Sequence, residues 1–248
     1  MSVWSHEMGP DGAPLVVLVH GAMDRSAAMV LLSRRLDDEY RVLRYDRRGY
    51  ARSQGAGGPF TIDTHVADLA ALLGERRAVV FGHSYGGNVA LALAARHPEI
   101  VRAVGVYEVP LSWLPWWPGS TGRRGGATHG SAADAAEQFM RRMVGDRQWE
   151  ALPEPIRAAR RSEGVAFVEE ITDLATEAPW EADDIDVPVV AMYGSLGRDH
   201  HRDGCHYLAE LLSDCEPIAI EGARHNGPFT HPEAVAAVLR NLERHAPR

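Results

Sequence analysis

VVFGHSYGGNVAL, Val79 to Leu91, sets a serine among glycines where an apolar run changes its period. Ala78 to Phe81 is short, apolar and β-branched, and reads as a strand buried on both faces. Val89 to Ala95 is apolar or small all round, which suits a helix buried in the core. Between them Gly82-His83-Ser84-Tyr85-Gly86 matches G-x-S-x-G in a strand-to-helix context. So sharp a turn strains the serine backbone, lifts its hydroxyl above the sheet and leaves no room for side chains at the flanking glycines. The helix N-terminus then faces any negative charge that forms nearby. Phosphate binding is the other use of such a turn, but neither G-K-[ST] nor G-x-G-x-x-G is present. Ser84 therefore reads as a nucleophile.

Outward from this turn, Leu15 to Val19, Arg41 to Tyr45, Val101 to Tyr107, Val187 to Tyr193 and Pro217 to Ile220 read as further strands. Val3 to Glu7 is the one segment that could form a strand before Leu15. Helical patterns lie between: Ile62, Val66, Leu69 and Leu73 share a face behind Thr61 as N-cap, and Val235, Val238, Leu239 and Leu242 follow Pro232. The alternation predicts an α/β fold with a mostly parallel sheet flanked by helices. Residues 111–182 break the rhythm. They open on Leu-Ser-Trp-Leu-Pro-Trp-Trp-Pro and become helical after Ser131 and Asp134, a capping-box-like start. The expected organisation is a core of residues 1–110 and 183–248 with a helical cap inserted at 111–182.

A serine nucleophile needs a base, and the oxyanion it generates needs donors. The backbone N–H of Tyr85, directly after Ser84, is one expected donor. The other is expected from the loop after the Leu15 to Val19 strand, at Ala22, with Met23 as the alternative. Each such donor is worth about 3 kcal/mol of barrier where it has been measured. His20, in the same loop, is expected to brace it.

The His20-Gly21 pair after a strand, the Tyr45-Asp46-Arg47-Arg48-Gly49-Tyr50-Ala51-Arg52-Ser53 segment, Gly82-His83-Ser84-Tyr85-Gly86-Gly87 and a late histidine resemble the α/β-hydrolase superfamily. The resemblance spans about residues 12 to 110 and 185 to 245, and the insertion matches the family's variable cap in position only. It implies a Ser-acid-His triad in that chain order, at the C-terminal ends of the strands. The base is then expected after the last strand, where His225 sits on a short polar loop; His231, directly before Pro232, reads as a helix-start residue. Many relatives place the acid after the penultimate strand, but here the usual position is Gly197, and Asp199 lies two residues late. Glu108 is the favoured acid and Asp199 the alternative. Glu108 ends the strand after the nucleophile helix, and Glu108-Val109-Pro110 is similar to the Glu-Leu-Pro of the zearalenone lactone hydrolases, which take their acid from this strand. A carboxylate at an apolar strand end needs a partner such as an imidazole.

Asp199 to His206 is dense in metal-ligand residue types but lacks metal-site spacing, and reads as a solvated loop and helix start. Trp113, Trp116 and Trp117 follow Glu108 closely and are the candidate substrate-binding residues. The formal charge, 26 − 34 = −8, argues against nucleic acid or an anionic membrane as main partner. No run approaches the length of a membrane span, Met1-Ser-Val-Trp-Ser-His-Glu lacks a basic segment followed by an apolar one so that no secretory signal is expected, and Cys205 and Cys215 are expected as free thiols of a cytoplasmic protein. The expected function is hydrolysis of an ester or lactone of an apolar small molecule through an acyl-enzyme, with no cofactor or metal. The alternatives are a non-catalytic relative that binds a small ligand, or the same triad acting on thioesters, carbon–carbon bonds or in perhydrolysis.

Overall fold

The computed structural model describes residues 2–118 and 130–246. Seven strands form one sheet: β1 (Ser5–Met8), β2 (Leu15–Val19), β3 (Arg41–Tyr45), β4 (Ala78–His83), β5 (Val101–Tyr107), β6 (Val189–Gly194) and β7 (Cys215–Ile220), in the order β1-β3-β2-β4-β5-β6-β7. Only β1 runs antiparallel, against β3. The other pairs are parallel, and β4 lies between β2 and β5. The C-terminal ends of β2, β4, β5, β6 and β7 therefore open on the same edge, and the loops that leave them can converge there.

Helices cover both faces. They are α1 (Val30–Ser33), α2 (Ile62–Leu73), α3 (Tyr85–Arg96), α4 (Ala132–Val144), α5 (Asp146–Ala151), α6 (Glu154–Ser162), α7 (Gly164–Asp173), α8 (Asp199–Leu211), α9 (Gly227–Thr230) and α10 (Pro232–His245). Strand alternation decides which core each residue joins. Val17 and Val19 of β2 pack with Ile62, Val66 and Leu69 of α2 and Val89 and Leu93 of α3. Val16 and Leu18, one residue out of step, pack with Leu32 of α1 and Val235 and Leu239 of α10. This two-sided burial explains the unbroken apolar strands. As its sequence pattern requires, α2 starts on Thr61, whose hydroxyl accepts from Thr64 N–H at 3.4 Å.

The segment between β5 and β6 carries α4 to α7. Ser131 and Asp134 cap α4 reciprocally, with Ser131 N–H on Asp134 Oδ2 at 3.0 Å and Asp134 N–H on Ser131 Oγ at 3.2 Å. Ala136, Met140, Trp149 and Phe167 from these helices bury against Met23, Tyr50 and Phe60 from the loops at the strand ends. Leu111, Trp117, Leu174 and Trp180, at the two ends of the segment, are buried with the sheet's own core. Among the described residues no helix is long and apolar enough to cross a membrane, and both cysteines are free thiols.

Candidate active site

Ser84 stands between β4 and α3 with φ 53° and ψ −124°, a backbone conformation that costs a non-glycine residue of order 1–3 kcal/mol. Tight packing holds it there. Ser84 N–H donates to Tyr107 O of β5 at 2.8 Å, and its own carbonyl accepts from Gly87 N–H at 2.8 Å. A Cβ on Gly82 would sit 2.3 Å from Gly86 O, and one on Gly86 2.5 Å from Val19 O, so both flanking glycines are required by contact.

Glu108 follows β5 at φ 48° and is fully buried. Its Oε1 accepts from Gly194 N–H of β6 at 2.9 Å, and its Oε2 accepts from His225 Nδ1–H at 2.6 Å. With both oxygens occupied, the buried carboxylate is satisfied by one amide and one imidazole. Asp199, by contrast, points to solvent and pairs with Arg202 at 3.3 Å. A Cβ on Gly197 would come within 2.8 Å of Glu108 Oε1, so the position where many relatives carry aspartate is kept bare beside this carboxylate.

The His225 loop is clamped from below. His83 Nε2–H donates to His225 O at 2.8 Å, and Tyr107 Oη–H donates to Arg224 O at 2.8 Å. The His225 ring is flanked by two more imidazoles: His83, with centroids 4.8 Å apart, and His201, stacked at 4.9 Å and 22°. His201 Nε2 lies 3.6 Å from Glu108 Oε2. Burial, and then the neighbouring His225, drives the pKa of His83 down to about 3 and that of His201 down to about 2. Both flanking rings are neutral at pH 7, and the imidazole within hydrogen-bond distance of the carboxylate is that of His225.

Ser84 and His225 open into one cavity of about 560 Å³. Ala22 and Tyr85 border it beside Ser84, Phe139, Met143, Phe167 and Ile171 of the insertion roof it, and Trp117 and Leu196 form its walls. Met23, the alternative donor, is buried with Tyr50 and Phe60 instead of lining the cavity. The Ala22 loop is fixed by Arg47, which donates through Nε to His20 O and through a terminal nitrogen to Gly21 O, both at 3.0 Å. His20 Nε2 accepts from Arg47 N–H at 2.9 Å, so this histidine braces the loop. Arg47 is itself ion-paired to Glu170 of α7, which also accepts from Tyr50 Oη–H at 2.6 Å. One buried network thus joins the inserted helical segment to the loop beside Ser84.

A family model described as the alpha/beta hydrolase family matches residues 16–238. The chain belongs to that family. A lipase of Mycobacterium tuberculosis is 40% identical over 99 residues, 39% of this chain and 37% of the lipase. The non-heme chloroperoxidase of Streptomyces lividans is 29% identical over 94% of this chain and 93% of its own. Among solved structures, the enol-lactonase of Burkholderia xenovorans superposes with a TM-score of 0.72 at 24% identity, covering 98% of this chain and 96% of that one. The shared fold extends over 98% of this chain, whereas the alignment with the lipase spans less than half of either chain.

Two expectations about this alpha/beta hydrolase need correction. Trp117 lines the cavity, but Trp113 packs edge-on against Trp180 at 5.7 Å, and Trp116 is 45% exposed beside Trp117 and Tyr207. The proline-rich turn presents successive rings to different neighbours, so three nearby tryptophans do not make one wall. The Asp199 to His206 stretch, expected as a solvated loop and helix start, is helical from Asp199 onward, and its His200 and His201 face the cavity. Glu108, His201 and His225 consequently bring three metal-ligand atoms within 4.8 Å of one another. A cation held there would have to displace the His225–Glu108 hydrogen bond. Sequence reading missed His83, His201 and the aromatic roof. The usable signal for His201 was its helical register, two residues after the exposed Asp199.

Proposed function

We propose that this hydrolase cleaves a carboxylic ester or lactone with an apolar body through a Ser84–His225–Glu108 triad. The reading rests on one observation above all. A buried carboxylate meets His225 Nδ1 at 2.6 Å, in a cavity that the strained Ser84 also enters. In the first half-reaction Ser84 Oγ attacks the carbonyl carbon while His225 Nε2 takes the hydroxyl proton. Glu108 stabilises the imidazolium that forms and holds the ring in the tautomer with Nε2 free to accept. The amides of Ala22 and Tyr85 carry the oxyanion. His225 then returns its proton to the leaving oxygen, and the acyl group remains on Ser84. In the second half-reaction water, deprotonated by His225, attacks that ester and releases the acid. The aromatic and aliphatic roof receives the apolar body. Names among the relatives, a lipase and an enol-lactonase, accord with ester chemistry.

The deciding experiment is labelling by a fluorophosphonate alongside turnover of an ester and lactone panel. The wild type should label and turn over, and Ser84→Ala should do neither. A folded wild-type protein that neither labels nor hydrolyses any member of the panel would instead be a ligand-binding relative.

A further inference from the structure

The charge around the cavity runs against the charge of the chain. The protein carries a net −8, yet no described residue lining the cavity is an aspartate or glutamate. Three lining residues are arginines from separate elements: Arg142 on α4, Arg198 after β6 and Arg224 after β7. Most of the described arginines elsewhere are matched to carboxylates, as Arg48 is to Asp68, Arg102 to Glu243 and Arg161 to Asp134. Among the described residues, none of the three cavity arginines has a carboxylate partner. Arg224 is held by a single bond, from a terminal nitrogen to Leu196 O at 2.8 Å, which keeps its remaining donors available. The one carboxylate behind His225, Glu108, has both oxygens engaged and is fully buried.

We infer that the substrate carries a carboxylate remote from its scissile carbonyl, with its apolar middle under Phe139 and Phe167 and its anionic end at Arg142, Arg198 and Arg224. This inference rests on the hydrolase reading above and narrows its substrate class. Guanidinium groups suit the role because they stay charged and present paired donors to a carboxylate. Long-range attraction into a cavity free of acidic groups would also raise the local concentration of an anionic ester.

The test compares two six-carbon acyl esters with the same leaving group, mono(4-nitrophenyl) adipate and 4-nitrophenyl hexanoate. At low ionic strength kcat/KM should favour the adipate by about 10-fold, chiefly through KM, and added salt should shrink the preference. Arg142→Gln, Arg198→Gln and Arg224→Gln should each reduce the ratio by about 2- to 5-fold, the range of exposed ion pairs. Preference for hexanoate, or a ratio unmoved by all three substitutions, would overturn the inference. Calorimetry on Ser84→Ala protein provides an arm independent of turnover, with monomethyl adipate expected to bind more tightly than dimethyl adipate. Equal or weaker binding of the anion would also overturn it. Tighter binding of the anion with no labelling or turnover in the wild type would instead sink the hydrolase reading and leave the anion site standing.

Discussion

Glu108, at the end of a strand, and Glu170, in the inserted helical segment, are both buried, and their partners could hardly differ more. Glu170 meets Arg47, a fixed cation, together with Tyr50 and His65 in a sealed network. Glu108 meets His225, an imidazole whose far side opens into a cavity. Burial pushes the Glu170 carboxyl up, but Arg47 and His65 outweigh it and hold the pKa down at about 2. A permanent ion pair of this kind fastens α7 to the loop beside Ser84. In the proposed mechanism the Glu108 charge acts when His225 takes the proton of Ser84. Identical side chains thus serve as a rivet in one place and, in the proposed triad, as a reagent's partner in the other.

The largest effect that tests this contrast is Glu108→Gln. Turnover should fall by about 10⁴-fold, the scale found when a triad acid becomes an amide and the imidazole loses its tautomer, while the melting temperature changes little. A small loss in turnover would remove Glu108 from the triad. Glu170→Gln should behave in the opposite way. It leaves the Arg47 charge buried without its partner, so the protein should lose about 3–5 kcal/mol in denaturant unfolding. Unchanged stability would mean that the network is relaxed by water.

Acid separates the two regions next. An unfolded histidine binds its proton below pH 6.5, whereas His83 and His201 resist until about 3 and about 2. The unfolded state therefore takes up more protons as pH falls below 6.5, and stability drops, by about 2 kcal/mol per ring at pH 5. Glu170, with its depressed pKa, contributes stability above its unfolded value of 4.5 that is lost only as pH falls from there towards 2. Unfolding free energies at pH 7 and pH 5 should differ less in His201→Phe than in the wild type, and an equal difference would remove His201 from this account. The smallest expected effect is that of Asp199→Asn. This exposed side chain should leave turnover within about twofold and stability within about 0.5 kcal/mol. A large loss of activity would return the acid's role to it.

The sheet was legible because each strand carried its own punctuation, a short apolar run closed by turn residues. Leu15–Val19, Arg41–Tyr45 and Val101–Tyr107 keep the bounds that their composition suggests. Ser84 was legible from a turn whose glycines are dictated by contact, and the places of Glu108 and His225 follow from strand ends. The Arg47–Glu170 pair spans 123 positions and depends on where the cap docks, which no local pattern encodes. The same dependence explains Trp113 and Trp116, since a Pro-rich turn gives no period from which to read the inward face. His201 was hidden by charged neighbours that suggested solvent, although helical register put it against His225.

Gly197 has a consequence for how such a protein can change. A carboxylate there and one at Glu108 exclude each other, since even a methyl group at 197 would crowd Oε1 at 2.8 Å. Relocating the acid from one strand to the next thus requires two substitutions, and neither order is neutral. Filling 197 first jams two like charges together, and emptying 108 first leaves His225 without the carboxylate that it bonds. The place of the carboxylate is thus tied to a missing side chain.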